Sequence, residues 1–240
     1  MALPMNATPV YTLQIPSTKK ELKYRPFLVK DEKALMIAQQ SEDVTVMLDT
    51  VKEVIKSCAK NTIDVDKLAS FDVEYIFMQM RAQSVGEFVD LVFQCDTDHG
   101  EDNEKARSSV RLDLRQVGVE FPENHSNKIS LFGDVGVVMK YPTIDVIKNI
   151  EQSNADDIDQ MFDIVVDCID YIYDSEQIFS AKDQSKAEMV EFLNNLTSEQ
   201  FESVQQFFQT MPSLKVWVDY KCPVCGRDHH KYMEGLQSFF

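Results

Sequence analysis

Phe71-Asp-Val-Glu-Tyr-Ile-Phe-Met-Gln-Met80 carries apolar side chains at Val73, Tyr75, Ile76, Phe77, Met78 and Met80. Wound at about 3.6 residues per turn, these positions leave almost no polar side. A helix that is apolar nearly all round is buried on several faces. Ser70 stands where an N-cap belongs, and the spacing predicts a helix over 70–84 at the centre of the core. A Met-aromatic groove held open for a partner helix is the alternative reading of the same residues.

On the N-terminal side, residues 30–60 read as two helices. Val44, Met47, Leu48, Val51, Val54, Ile55 and Cys58 keep helical spacing along the second. Glu42 and Asp43 at its start and Lys56 and Lys60 at its end suit the helix dipole. Before them lies an extended arm broken by Pro4, Pro9, Pro16 and Pro26, with strand-like alternation over Tyr11–Ile15. On the C-terminal side the period changes to two. Phe88–Phe93 reads as a strand, Val110–Val119 as one or two more, and Gly133-Asp134 as the turn of a hairpin. Asp96–Arg107 reads as an exposed loop. Helical spacing returns over 143–151, 155–173, 186–194 and 198–210. Capping boxes mark Ser153–Asp156, Ser185–Glu188 and Thr197–Gln200, the last with Leu196 and Phe201 as a hydrophobic staple. Leu214–Tyr220 is a strand, and Met233, Leu236, Phe239 and Phe240 close the chain.

The expected class is α+β: a helical core with an inserted antiparallel β-segment and a C-terminal β-hairpin resembling a zinc knuckle. The expected parts are an arm over 1–28, helical core over 29–85, β-insert over 86–142, helical core over 143–211, and a CxxC hairpin with tail over 212–240.

Composition narrows the function. Among 240 residues there are 24 Lys plus Arg and 40 Asp plus Glu, a net charge of −16. Such a chain lacks the positive footprint that nucleic acid or an anionic membrane requires. No apolar run approaches a membrane span, and the start shows no targeting pattern. Five cysteines, an odd number, with Cys58 and Cys168 inside amphipathic patterns, point to a reducing cytoplasm without a disulfide framework.

The sharpest chemical motif is Cys222-Pro-Val-Cys-Gly226. Two thiolates at this spacing on a turn are half of a tetrahedral zinc site. Cys95-Asp-Thr-Asp-His99 leaves another strand into a polar turn and resembles a degraded knuckle, with Cys95 in the first ligand position and Asp98 or His99 in the second. Cys95, His99, Cys222 and Cys225 form the candidate ligand set for a structural zinc. His229 and His230 follow close behind. The other readings are a knuckle that keeps its shape without metal, two plain thiols, and a redox dithiol. A redox dithiol ordinarily opens a helix after a strand, unlike this one.

Asp159, Asp163, Asp167, Asp170 and Asp174 step by helical intervals. Read as one helix face, they are either a solvated surface or a surface for a basic partner, with Asp163, Asp167 and Asp170 at its centre. Nucleotide-binding loops, HExxH and GxSxG are missing from the sequence, which points away from catalysis. Two further readings stand: an enzyme using Cys225 with His229 or a metal-bound water, and an acidic mimic of nucleic acid that inhibits a host protein.

Several blocks resemble the T4-type phage baseplate hub proteins: Phe71–Glu87, Val137-Val-Met-Lys-Tyr-Pro-Thr143, Met211-Pro212, Cys222–Gly226 and Glu234-Gly-Leu-Gln-Ser-Phe-Phe240. They keep their order over about residues 15–240. The resemblance implies a hub subunit or hub assembly chaperone, working through contacts with other baseplate hub proteins and without a known catalytic residue. It places the chain in the host cytoplasm during assembly or in the tail baseplate of the virion. One departure concerns the first knuckle, which more often reads C-x-x-C in this family and here is Cys95-Asp-Thr-Asp98.

Overall fold

The computed structural model describes residues 8–152 and 158–235. Pro4, the Ser153–Asp156 capping box, and Leu236, Phe239 and Phe240 lie outside the described residues. In chain order the elements are β1 (Tyr11–Gln14), β2 (Glu21–Tyr24), α1 (Val29–Gln40), α2 (Val44–Cys58), α3 (Ser70–Ser84), β3 (Phe88–Gln94), β4 (Arg107–Asp113), β5 (Gly118–Glu120), β6 (Lys128–Phe132) and β7 (Val135–Met139). There follow α4 (Ile144–Gln152), α5 (Ile158–Asp167), β8 (Ile169–Tyr173), β9 (Ile178–Ser180), α6 (Lys186–Asn194), α7 (Ser198–Thr210), β10 (Ser213–Lys221) and β11 (Asp228–Glu234).

Two compact units result. The first holds residues 8–65, 71–120 and 213–235. Its arm folds back as the β1–β2 hairpin, with Tyr11 opposite Tyr24 and Gln14 opposite Glu21. Arg25 then anchors it. Its guanidinium reaches the Asp31 carboxylate at 2.7 Å and the Ser57 hydroxyl at 2.8 Å, with both charges almost wholly buried. In α2, Asp43 is the N-cap and accepts from the Thr45 N–H at 2.8 Å. Within α3, Val73, Ile76, Phe77, Met78 and Met80 are fully buried. Burying each large apolar side chain contributes about 1.5–3 kcal/mol, so the Met and aromatic residues of α3 are core and do not form an open groove of their own, while Gln83 stays exposed. Ser70 lies within the first turn of α3 instead of capping it. The remaining strands of this unit form a β3–β4 pair and a sheet ordered β11-β10-β5, all antiparallel.

The second unit holds residues 66–70, 121–152 and 158–212. Its antiparallel sheet is ordered β6-β7-β8-β9. Val137, Met139, Val165, Ile169, Met189, Leu193, Val204 and Phe207 form its core. Both expected capping boxes on described residues are made: Ser185 with Glu188, and Thr197 with Gln200. Leu196 and Phe201 pack on the core beside the second.

One element departs from expectation. The helix read over 155–173 ends at Asp167, and Ile169-Asp-Tyr-Ile-Tyr173 is strand β8. Ile169 and Ile172 are spaced three apart, which also suits a helix. However, β-branched and aromatic residues dominate here, and they fit a pleated strand between β7 and β9. The strands of 86–142 also divide: β3, β4 and β5 belong to the first unit, β6 and β7 to the second.

Candidate metal centre

The site is built where two hairpins of the first unit meet. Strand β10 runs out through Tyr220 and Lys221 into Cys222-Pro-Val-Cys-Gly226. The turn closes through the Gly226 N–H donating to the Cys222 carbonyl and the Cys222 N–H donating to the Arg227 carbonyl, both at 2.9 Å. Gly226 takes a left-handed φ of 71°, which any side chain would resist. On the other hairpin, β3 ends at Gln94, Cys95 follows, and a 3-10 turn over Gly100–Ala106 leads into β4. His99 precedes that turn and donates its backbone N–H to Asn103 Oδ1 at 2.8 Å.

Packing brings the hairpins into contact. Phe93 stacks on Tyr220 with ring centroids 5.0 Å apart. The Tyr220 hydroxyl donates to the Gln94 carbonyl, and the Ser108 hydroxyl to the Lys221 carbonyl. Cys95, Ala106 and Cys222 form a small buried cluster beneath.

Cys95, His99, Cys222 and Cys225 thereby converge, with one ligand atom of each within 4.8 Å of all the others. Cys95 Sγ lies 4.0 Å from Cys225 Sγ, and Cys222 Sγ lies 3.6 Å from His99 Nε2. A tetrahedron with zinc–sulfur bonds of about 2.3 Å has sulfur–sulfur edges of about 3.8 Å. The donor set and its spacing fit a tetrahedral metal ion, and this group of four could hold one. Three of the four donors are soft thiols, the class that selects zinc over magnesium or calcium.

The electrostatics agree with cation demand. The Thr97 N–H, donating at 3.4 Å, is the largest influence that favours the Cys95 thiolate. With help from His99, Cys222 and His229 it outweighs burial and holds this thiol down at about 5. The Arg227 N–H favours the Cys225 thiolate too, but burial and the neighbouring Cys222 and Cys95 push Cys225 up. Crowded sulfurs cannot all ionise unless a cation sits among them.

Surrounding residues fix the ligands. His229 Nε2 lies 3.3 Å from Cys95 Sγ, its other nitrogen faces Asp96 at 3.4 Å, and its ring stacks on Tyr220. His229 thus borders the group of four, while His230 stacks on Trp217 and pairs with Asp219. Lys231 reaches Asp96 at 3.0 Å, and Arg227 donates to the Thr97 hydroxyl at 2.8 Å. Sequence reasoning missed Thr97, Asp96 and Lys231. The two-residue alternation of β11, which sends His229 and Lys231 to one face and His230 to the other, is the signal that could have found Lys231.

The acidic stripe does not hold together. Asp163 and Asp167 lie on α5, but Asp170 lies on β8 and Asp174 beyond it. Asp163 pairs with Lys186 at 2.9 Å, and Asp167 and Asp170 are exposed. Ending the helix at Asp167 removes the single helix face on which the sequence reading had placed these residues. Among the described residues, no helix is long and apolar enough to cross a membrane.

Comparison with known proteins adds a further finding. The T4 bacteriophage base plate protein family matches residues 8–240. The chain is 24% identical over 234 residues to the baseplate hub assembly protein gp26 of Enterobacteria phage T4, covering 96% of this chain and 97% of that protein. No solved structure matches.

Proposed function

Because the chain belongs to the T4 bacteriophage base plate protein family, we propose that it assembles the baseplate hub of a contractile-tailed phage by binding other hub proteins. The observation that carries this reading is the extent of the family match, which runs through both compact units. The work is done by shape, apolar contact and charge, with no chemical step. A negative surface of this magnitude steers a basic partner and repels the chain's own copies. Exposed Met36, Val85, Val92 and Trp217 add adaptable apolar contact. The setting is the host cytoplasm during assembly, or the baseplate itself if the chain is incorporated.

In this reading Cys95, His99, Cys222 and Cys225 hold a structural zinc. The ion would supply cross-linking between the two hairpins, whose cysteines stand 130 residues apart in sequence, and no hydrolytic chemistry. Such a staple limits opening of the unit that carries the arm and α3.

Co-expression of the full chain with hub proteins of its own phage tests the proposal. The expected result is a co-purifying complex of defined stoichiometry. Failure to associate with every hub component, in pull-down and in light scattering, would overturn it. Mass spectrometry of finished particles separates the two versions: an incorporated subunit is present there, and a chaperone is found only in infected cells.

A further inference from the structure

The first unit carries a groove of about 560 Å³ between α1, α3 and β3. Leu35, Met36, Phe77 and Val85 form its apolar walls. Met36, Val85 and Val92 are each more than 60% exposed along it, which leaves a large apolar surface uncovered.

Strand β3 meets this groove edge-on. Val89, Asp90, Leu91, Val92 and Phe93 all line it. Successive strand residues point to opposite faces, so five in a row can line one cavity only where the strand's edge faces it. That edge is open. Among the described residues β3 pairs with β4 alone, over seven residues from Phe88 opposite Asp113 to Gln94 opposite Arg107. In an antiparallel pair alternate residues aim their N–H and C=O groups away from the partner strand. Among the described residues no other segment of backbone takes up these outward groups.

Arg81 supplies the second observation. It projects from α3 into the groove wall, half-buried. Its guanidinium has no hydrogen-bond or ion-pair partner among the described residues. Burial pulls its pKa below the usual arginine value, with no neighbouring charge acting to restore it. A guanidinium stays charged and offers five donors in a planar fork. The Arg81 stem is half-buried while its nitrogens still reach solvent, so the charge is free to meet a ligand, and a carboxylate is its natural complement. The other charged residues on the wall, Glu32 and Asp90, make no ion pair with Arg81, and Asp90 is held by Arg111 at 3.3 Å.

We propose that the open edge of β3 receives an extended segment of a partner protein, which adds as a third strand and sets a carboxylate side chain on Arg81. The segment alternates apolar residues, facing the groove, with polar ones, and carries one Asp or Glu. The backbone of β3 provides the affinity, and the groove with Arg81 provides the choice of sequence. A second copy of this chain fits less well: paired edge to edge it would offer β3 again, whose single acid is Asp90. The assignment rests on the reading that the chain works by protein contact, and it is independent of the metal.

A surface-displayed library of random nine-residue peptides, selected on the purified full chain, supplies the probe. Synthetic copies of the strongest binders are then titrated by fluorescence anisotropy. Enriched peptides should alternate apolar and polar residues around one acid. Arg81→Gln should weaken binding at least tenfold with an unchanged circular dichroism spectrum. Replacing the peptide's acid by its amide should weaken wild-type binding equally and leave binding to the variant almost unaltered. N-methylation of alternate peptide nitrogens on the pairing edge should abolish binding. The proposal is overturned by peptides with apolar residues at helical spacing, by indifference to Arg81→Gln or to N-methylation, by no enriched peptide, or by a chain dimer that excludes the peptide. Loss of peptide binding with hub association intact would sink the groove assignment alone. Hub association missing while peptides bind would sink the functional reading alone.

Discussion

Arg25 and Asp31 show how much one residue pair can hold. Burial alone would raise the Asp31 carboxyl, yet the Arg25 guanidinium, the Leu28 N–H and the Ser57 hydroxyl more than offset it and hold it below the usual carboxylate range. A depressed native pKa means that this carboxylate stabilises the fold above its unfolded value of about 3.9, and that the contribution is lost as pH falls through the lower native value. Denaturant titrations should therefore show wild-type stability falling below about pH 4, with Asp31→Asn less dependent on pH over that range. At pH 7, Asp31→Ala leaves Arg25 buried and unpaired, and should cost about 3–5 kcal/mol. At the candidate metal centre, Cys222→Ala should remove bound zinc, measured as about one ion per chain by elemental analysis in wild type. Cys58→Ala and Cys168→Ala should retain it, since both thiols are buried elsewhere. The Cys222-Pro-Val-Cys-Gly226 turn was legible because spacing and glycine together specify it. The part played by Thr97 was not, because a backbone N–H donates whatever side chain it carries.

At the scale of elements, local chemistry was readable wherever one rule had no competitor. Thr197 and Gln200 match a capping box and nothing else, and α7 begins there. Thr197→Ala should destabilise the fold by about 1 kcal/mol, visible as a lower denaturation midpoint at unchanged slope. Ile169–Tyr173 met two rules at once, since its apolar residues satisfy a helical and an alternating reading. The choice was made by pairing with β7, remote in sequence, and with β9 just downstream. Gly136 belongs to the same sheet. A Cβ there would lie 2.5 Å from the Ile129 carbonyl oxygen and closer still to the Tyr173 hydroxyl. Gly136→Ala should cost about 1–3 kcal/mol or more, by forcing β6 or Tyr173 aside. No periodicity in the sequence announces that contact, because it depends on which strands neighbour β7.

For the molecule as a whole, the central helix α3 was readable from its apolar girth, and the family resemblance from blocks spread along the chain. The division into two units was not. Residues 86–142 look uniformly β in sequence, but their strands find partners in both units, and only long-range pairing separates them. Function at this scale follows from family membership together with a net charge of −16 and exposed apolar side chains. Charge of one sign accelerates encounter with an oppositely charged partner and is screened by salt. Association with a basic hub protein should thus slow markedly as sodium chloride rises from about 0.05 to about 0.5 M, followed by stopped-flow fluorescence of Trp217. The most direct measurement is electron microscopy of lysates from cells infected by the same phage with this gene interrupted by a stop codon. Tails lacking completed baseplates, restored by supplying the intact chain, are the predicted outcome. Normal tails with complete baseplates in its absence would contradict the account.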